Sequence, residues 1–430
     1  MSRYVATGVV LVYALTILSI GLTREWELLH EDNGALHTTF ALSHVRLGLA
    51  RTRAHDYFFE PRTGLEGRYG AHPPGPGLVV AAAFAATGSD TPAVARLAVI
   101  AFQLGSIACM IVLLRRLFGA GAALLGGAVM ATLPMGAFFG RMVNYEPLCL
   151  FAVMLQLDGY AIWRQEGARR GLLVAVVGVV LGGLIDWPAF FFAAALTAVL
   201  AVDAMRDASS GPSRVTPVAV LAASAAGILL VDVGHLWLVG GGSIGSLRLL
   251  DGVLAGPWVT QWAALDPPSF ALGQLETARR YYTDAGLLSA IVVAGALLAW
   301  RWPPAAQVLG SGDDGLLRRL LAISGGAALA YVLVAPTWAR IHAYWQFYAL
   351  PFVVLSMLLV GRALLRLGRE RGSLLARALL AVFVVDTVIG SASTLYFRHN
   401  TRSSHTVRQV AELRAHAMVP AYLGREGASR

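Results

Sequence analysis

The chain contains no lysine, only two cysteines in 430 residues, and just 14% charged side chains. With 57% of its residues hydrophobic, so little charge excludes an ordinary soluble globular protein. Cys109 and Cys149 both fall in or beside apolar segments, and two such residues exclude a disulfide framework or a cysteine-built metal cluster. Without lysine, the formal net charge of +9 rests on arginine alone, which reads as the compositional bias of a GC-rich genome. No basic tract gathers that charge, so a nucleic-acid surface is excluded as well. The flank Ile20-Gly21-Leu22-Thr23 lacks an A-x-A-like cleavage site, so the first apolar run is read as an uncleaved signal anchor.

What is present is a series of long apolar runs, at 4–22, 93–113, 119–138, 147–163, 171–187, 188–205, 215–238, 286–302, 318–336, 343–361 and 374–396. Runs of this length can cross a hydrocarbon core of roughly 30 Å. The expected fold class is an all-α polytopic membrane protein with about eleven transmembrane helices. A shorter run, 76–88, follows Pro73-Pro74-Gly75-Pro76 and decides the orientation of everything after it. If it does not span, the short loops around Arg115-Arg116, Arg164–Arg170, Arg206–Arg214, Arg301–Arg319 and Arg362–Arg377 share the cytoplasmic side with Arg3. That is the arrangement the positive-inside rule favours. Segment 76–88 is therefore read as a re-entrant or interfacial helix, in backbone that must be buried in protein or line a cavity. The resulting organisation is a transmembrane catalytic domain over 1–396, with outer loops at 23–92 and 239–285, and a short outer tail at 397–430. The expected location is a bacterial cytoplasmic membrane, with the active site on its outer face.

Under this topology, polar residues from distant parts of the chain converge on one surface. His30-Glu31-Asp32-Asn33-Gly34 follows the first span, and Gly34–Ala50 reads as a helix lying along the membrane with Asp32 or Asn33 as its N-cap. Glu31 and Asp32 read either as a cap with a solvated acidic pair or as catalytic carboxylates, and Asp32 is the stronger catalytic candidate. His30, His37 and His44 recur every seven residues, but that step separates them by roughly 10 Å along a helix, too far to share one ion. Arg68-Tyr69-Gly70-Ala71-His72-Pro73-Pro74 is a proline-stiffened entry in which Arg68 and His72 offer cations to a phosphate. Arg141 and Glu146, at a helix junction, form either a structural pair or part of a substrate site. Asp186 between two helices suits a supporting role. Arg279, Arg340 and His342 are further candidates for phosphate contacts, and Tyr344 lies among interfacial aromatics.

The order of these motifs resembles the membrane-embedded GT-C glycosyltransferases, in particular the dolichyl-phosphate-mannose protein mannosyltransferase group (family 39) with the lipid A aminoarabinose transferases. The resemblance rests on the acidic pair, Tyr69-x-x-His72-Pro73-Pro74, Gly140-Arg141-x-x-x-x-Glu146-Pro147, Asp186-Trp187-Pro188 and the run from Arg340 to Pro351. It implies transfer of a hexosyl or pentosyl group from a polyprenyl-phosphate donor to a lipid, glycan or protein acceptor. Asp32 would be the base, Glu146 the second acidic position, and His72 would stand where many relatives carry lysine. Arg68, Arg141, His72, Arg340, His342 and Arg279 would contact the donor phosphate, supported by Tyr69, Asp186 and Tyr344. No cofactor is certain, and a divalent metal stays open, with Glu31, Asp32 and Glu146 as its ligands should they converge. The competing readings are a transporter or flippase of lipid-linked glycans, disfavoured because no internal repeat is found, and an inactive scaffold of the same fold.

Overall fold

The computed structural model describes residues 3–60, 65–206, 215–239, 265–299, 314–334 and 336–415. The first half consists of α1 (Arg3–Leu18), α2 (Asp32–Leu47), the short α3 (Leu49–Thr52), a hairpin of β1 (Tyr57–Glu60) with β2 (Leu65–Arg68), α4 (Gly75–Thr87), α5 (Pro92–Phe118), α6 (Ala120–Thr132), α7 (Pro134–Phe139), α8 (Tyr145–Glu166), α9 (Arg169–Gly183) and α10 (Pro188–Arg206). The second half holds α11 (Val215–Val239), α12 (Pro267–Leu298), α13 (Asp314–Val334), α14 (Pro336–Ile341), a 3-10 segment (Ala343–Ala349), α15 (Leu350–Glu370), α16 (Leu374–Val385), a π turn (Asp386–Gly390), α17 (Ser391–Asn400) and α18 (Ser404–Ala415).

This is a polytopic α-helical protein. Seven described helices are long and apolar enough to cross a membrane, and Tyr4–Leu18, Gly75–Thr87 and Ala120–Thr132 are shorter apolar helices. The antiparallel β1–β2 hairpin, with Tyr57 opposite Arg68 and Glu60 opposite Leu65, occupies part of the first loop, to which the sequence assigned no strand. Most of the second large outer loop, 240–264, and the tail beyond 415 lie outside the described residues.

Packing follows residue size. α8 and α9 form a tight hairpin that turns at Gly167, whose φ of +62° only glycine adopts freely. Along their contact, a Cβ on Gly178 would lie 2.6 Å from the Ala152 carbonyl and 2.8 Å from the Gln156 amide. Small residues of this kind let membrane helices approach closely where no hydrophobic gain drives them together. α5 packs on α6 and α8, while α10, α11 and α13 extend the bundle and α12 joins α15.

The ion pairs separate the bundle into two ends. At one end Arg116 meets Glu166 at 2.7 Å, and Arg319 meets Asp203 at 2.7 Å. At the other lie Glu31, Arg96 and Arg141, together with the start of α8 and the junction of α9 with α10. Gly75, which opens α4, packs against Ile185 at that junction, and Arg96, one turn into α5, reaches Glu31. Both helices thus begin at the same end, so α4 does not carry the chain across the bundle. Its thirteen residues rise roughly 20 Å, short of a full hydrocarbon core.

The helix expected from Gly34 to Ala50 runs instead from Asp32 to Leu47, with Glu31 in the N-cap position. Neither Asp32 nor Asn33 caps it. Glu31 has φ −75° and ψ −7°, already in the helical region, and its carboxylate turns back toward the preceding loop. We expect Gly178→Val to place methyl groups against α8 backbone that cannot yield, costing about 1–3 kcal/mol or more. A lowered melting midpoint of the detergent-purified protein checks this, and an unchanged midpoint would show that the two helices can part.

Candidate functional site

Glu31 is a structural node. Its Oε2 accepts the backbone N–H groups of Glu27 at 3.1 Å and Leu28 at 3.0 Å. Its Oε1 accepts Arg96 Nη2 at 3.0 Å and Arg141 Nη2 at 2.9 Å. Arg96 also donates Nη1 to the carbonyls of Leu22 at 2.8 Å and Arg24 at 2.5 Å, and its guanidinium lies 4.3 Å from the Trp26 ring centroid. The loop between α1 and α2 is therefore wrapped around a buried arginine that projects from α5. Burial pushes the Glu31 carboxyl up, but Arg96, Arg141 and the Leu28 amide outweigh it and hold the group below its ordinary value of 4.5. Arg141 is brought down to about 10, chiefly by burial, with Glu31 opposing, and so remains a cation at neutral pH. Arg141 pairs with Glu31, while Glu146, its near neighbour in sequence, points elsewhere.

Asp32 differs sharply from its neighbour. It is half-buried and opens α2, where a carboxylate suits the positive end of the helix. Its Oδ1 accepts the hydroxyl of Thr406 at 3.2 Å. Asn33 Nδ2 donates to Tyr344 Oη at 3.3 Å, tying the start of α2 to the 3-10 segment. His30, at φ +62°, turns the chain so that its ring lies 5.1 Å from Tyr344 and 5.6 Å from His342. His342 stacks on Tyr344 at 4.9 Å. Burial first, then the charges of His342, Arg398 and His405, bring His30 down to about 3. Burial also lowers His342, although Asp32 draws it the other way. Both imidazoles are accordingly neutral near pH 7, and His342 then offers a phosphate a hydrogen-bond donor without a charge.

A second cluster lies deeper at the same end. His72 Nδ1 meets Asp186 Oδ1 at 2.8 Å, and the other Asp186 oxygen accepts Tyr348 Oη at 3.3 Å. Asp186 Oδ1 also accepts the Trp187 amide at 2.8 Å, while Trp187 Nε1 donates to the Ala71 carbonyl at 2.8 Å. The His72 ring stacks between Tyr145 at 4.5 Å and Tyr69 at 6.0 Å. Prolines at 73, 74 and 76 stiffen the segment that holds it there. Glu146 is buried in the first turn of α8, and its Oε2 has no hydrogen-bond partner among the described residues.

The remaining expected contacts are more peripheral. Arg279 is exposed and pairs with Asp284 at 2.6 Å, and Arg340 is exposed at the end of α14. Arg68 ends β2, with its side chain outside the described residues. His37 meets Asn144 Oδ1 at 2.9 Å and His44 meets Thr52 Oγ1 at 2.9 Å, so the histidines of α2 serve different local partners. Among the described residues no three of His, Cys, Asp or Glu gather into a group that could hold a metal ion. Glu31 in particular is already occupied by four donors, and no step below is routed through an ion.

Three residues at this end escaped the sequence reading. Arg96 had a readable signal, being an arginine inside an apolar run. Asp56 is wholly buried, its oxygens lack a hydrogen-bond partner among the described residues, and His44 Nε2 lies 3.7 Å from its Oδ1. Thr406, in the expected tail, gave no signal at all.

An apolar cavity of about 1120 Å³ runs between α12, α13 and α15, from Gln274 and Gln346 at this end to Arg318 and Arg319 at the other. Gln346 Nε2 donates to Gln274 Oε1 at 2.8 Å and to its backbone carbonyl at 2.9 Å. Gln346 lies two residues from Tyr344, whose hydroxyl accepts Asn33 Nδ2.

No family model and no curated protein matches the chain. Solved structures do. ArnT from Cupriavidus metallidurans, bound to undecaprenyl phosphate, matches at TM-score 0.54 and 15% identity over 95% of this chain and 74% of that one. The Archaeoglobus fulgidus oligosaccharyltransferase tethered with an acceptor peptide matches at TM-score 0.54 and 14% identity, over 90% of this chain. The chain spans 55% of the length of that enzyme. AglB from the same organism, in complex with an inhibitory peptide and a dolichol-phosphate, matches at TM-score 0.52 and 15% identity over 92% of this chain and 56% of that one. The chain shares its fold with these solved structures.

Replacing Glu31 with Gln should leave Arg96 and Arg141 buried without a counter-charge, at a cost of about 3–5 kcal/mol near pH 7. Because the folded carboxyl titrates below its unfolded value, its stabilisation is complete above the ordinary value of 4.5 and lost as pH falls through the lower folded value. The gap in melting midpoint between wild type and variant should therefore be constant above that value and close below it. A gap independent of pH would contradict the ion-pair account.

Proposed function

We propose that the chain is an inverting glycosyltransferase that moves a sugar from a polyprenyl-phosphate donor to an acceptor at the outer face of the membrane. The carrying observation is the contrast among the acidic groups at this end of the bundle. Glu31, Asp56, Glu146 and Asp186 are all buried, whereas Asp32 is half-buried beside Tyr344 and His342. A general base must come within about 3 Å of the proton it removes, and Asp32 is the carboxylate placed to meet one.

In this mechanism the acceptor oxygen attacks the anomeric carbon while its proton passes to Asp32. The bond from that carbon to the phosphate oxygen breaks, and the phosphate leaves with the electron pair. A single displacement inverts the anomeric centre. The departing charge needs donors rather than a proton. His72 is oriented for this by Asp186 and Tyr145, and His342, Arg340 and Arg68 are the further groups assigned to it. The apolar cavity along α12 suits a polyprenyl chain, since it offers a hydrocarbon lining that ends in glutamines next to the polar cluster. The solved structures of the same fold lend support, one holding undecaprenyl phosphate and another a dolichol-phosphate.

Asp32→Asn keeps the shape of the side chain and removes its basicity. With the variant reconstituted in proteoliposomes containing a polyprenyl-phosphate sugar, we expect transfer to fall by a factor on the order of 10² to 10⁴, the usual worth of a general base. Its melting midpoint should match the wild type. Transfer near the wild-type rate would sink the assignment of Asp32 as base.

A further inference from the structure

The segment after α17 is strapped onto the loop that presents Asp32. Arg24 Nη1 donates to the His399 carbonyl. Arg402 Nε pairs with Glu27 Oε2 at 2.9 Å, and the Ser403 amide donates to the Glu27 carbonyl at 2.8 Å. Ser403 then caps α18, its Oγ accepting the Thr406 amide at 3.2 Å. Within the first turn of that helix Thr406 is fully buried, and its hydroxyl donates to Asp32 Oδ1 at 3.2 Å. Val410, one turn further on, is buried as well, and α18 packs along α2. These ties span residues 399–406 and all end on residues 24–32.

We propose that Thr406 is a positioning residue for Asp32, and that the strap from His399 to Val410 forms one wall of the reaction centre. This rests on the reading of Asp32 as the base. A carboxylate has two oxygens, and a hydroxyl fixed on Oδ1 sets the side-chain rotamer and leaves Oδ2 to take the acceptor's proton. The titratable groups whose charges act on Asp32 are His342 and Tyr344 from the segment after α14; His30 and Glu31 precede it in the chain, and His405 on α18 lies by His342 and His30. None of them donates a hydrogen bond to the Asp32 side chain among the described residues, so Thr406 alone fills that role.

The test compares kcat and KM for the full-length wild type, Thr406→Val, Thr406→Ser and Asp32→Asn in proteoliposomes. Valine keeps the shape and burial of threonine but cannot donate. The expected result is a several-fold loss in kcat for Thr406→Val with KM unchanged, because the carboxylate loses the donor that sets its rotamer while the substrate contacts stay in place. Thr406→Ser should restore kcat. If Thr406→Val fails to fold, Thr406→Ala removes the same donor with less bulk and is read the same way. An inactive Asp32→Asn beside a Thr406→Val with the wild-type kcat overturns the positioning role alone. A loss that serine does not rescue also overturns it, since it marks packing only. An active Asp32→Asn overturns the base reading and this inference together.

Discussion

The buried ion triad of Glu31 with Arg96 and Arg141 is the constraint on which the rest of this end of the molecule depends. It joins three segments that are distant in the chain: the α1–α2 loop, the first turn of α5 and the junction before α8. Ions in such surroundings are costly, and their mutual attraction repays the cost only when further hydrogen bonds satisfy the remaining lone pairs. Here they do for Glu31 and Arg96, because the second Glu31 oxygen accepts two backbone amides and Arg96 donates to two carbonyls, while Arg141 Nη1 has no hydrogen-bond partner among the described residues. The same bonds fix the backbone of residues 22–31, and Asp32 follows directly from it.

Adjacent carboxylates thereby acquire opposite environments. The positive φ at His30 turns the chain immediately before the pair, and Glu31 then folds back toward the loop while Asp32 opens α2. A side chain held by four donors has no lone pair in a useful direction. One held by a single hydroxyl does. The pair therefore divides its work by geometry, with one carboxylate holding the loop and the other left accessible.

The sequence made the parity of the bundle legible, because arginines in short loops mark one side and a short proline-headed run could not carry the chain across. That reasoning placed Asp32, His72, Glu146, Asp186 and His342 at one end, and the ion pairs at both ends agree. The pairings themselves were harder to read. Arg141 stands five positions from Glu146 yet pairs with Glu31, because the N-terminal turn of α8 buries Glu146 while the junction before it faces the first loop. Asp56 lay in what reads as connecting chain, and only the approach of α4, with Gly77 against the Asp56 carboxylate, buries it. Thr406 stands 374 positions from Asp32, and no local pattern links a threonine on a polar helix to so distant a partner.

The division of polar and apolar surface then follows from the same frame. His72 and Asp186 are locked by tyrosines and prolines, the glutamines close one end of the hydrocarbon cavity, and Asp32 lies by His342 and Tyr344, the latter two residues from Gln346. A lipid-borne substrate needs its chain in apolar surroundings and its head group among donors, with a base on the side away from the leaving group. Rigid placement matters more here than any single pairing, because an in-line displacement tolerates little error in the approach of the acceptor. A proposed base fixed through a loop that is itself bolted to α5 and to α18 meets that demand. The charge of Glu31, which secures the loop, lies beneath it, and the carboxylate of Asp32, the proposed base, is left at its edge.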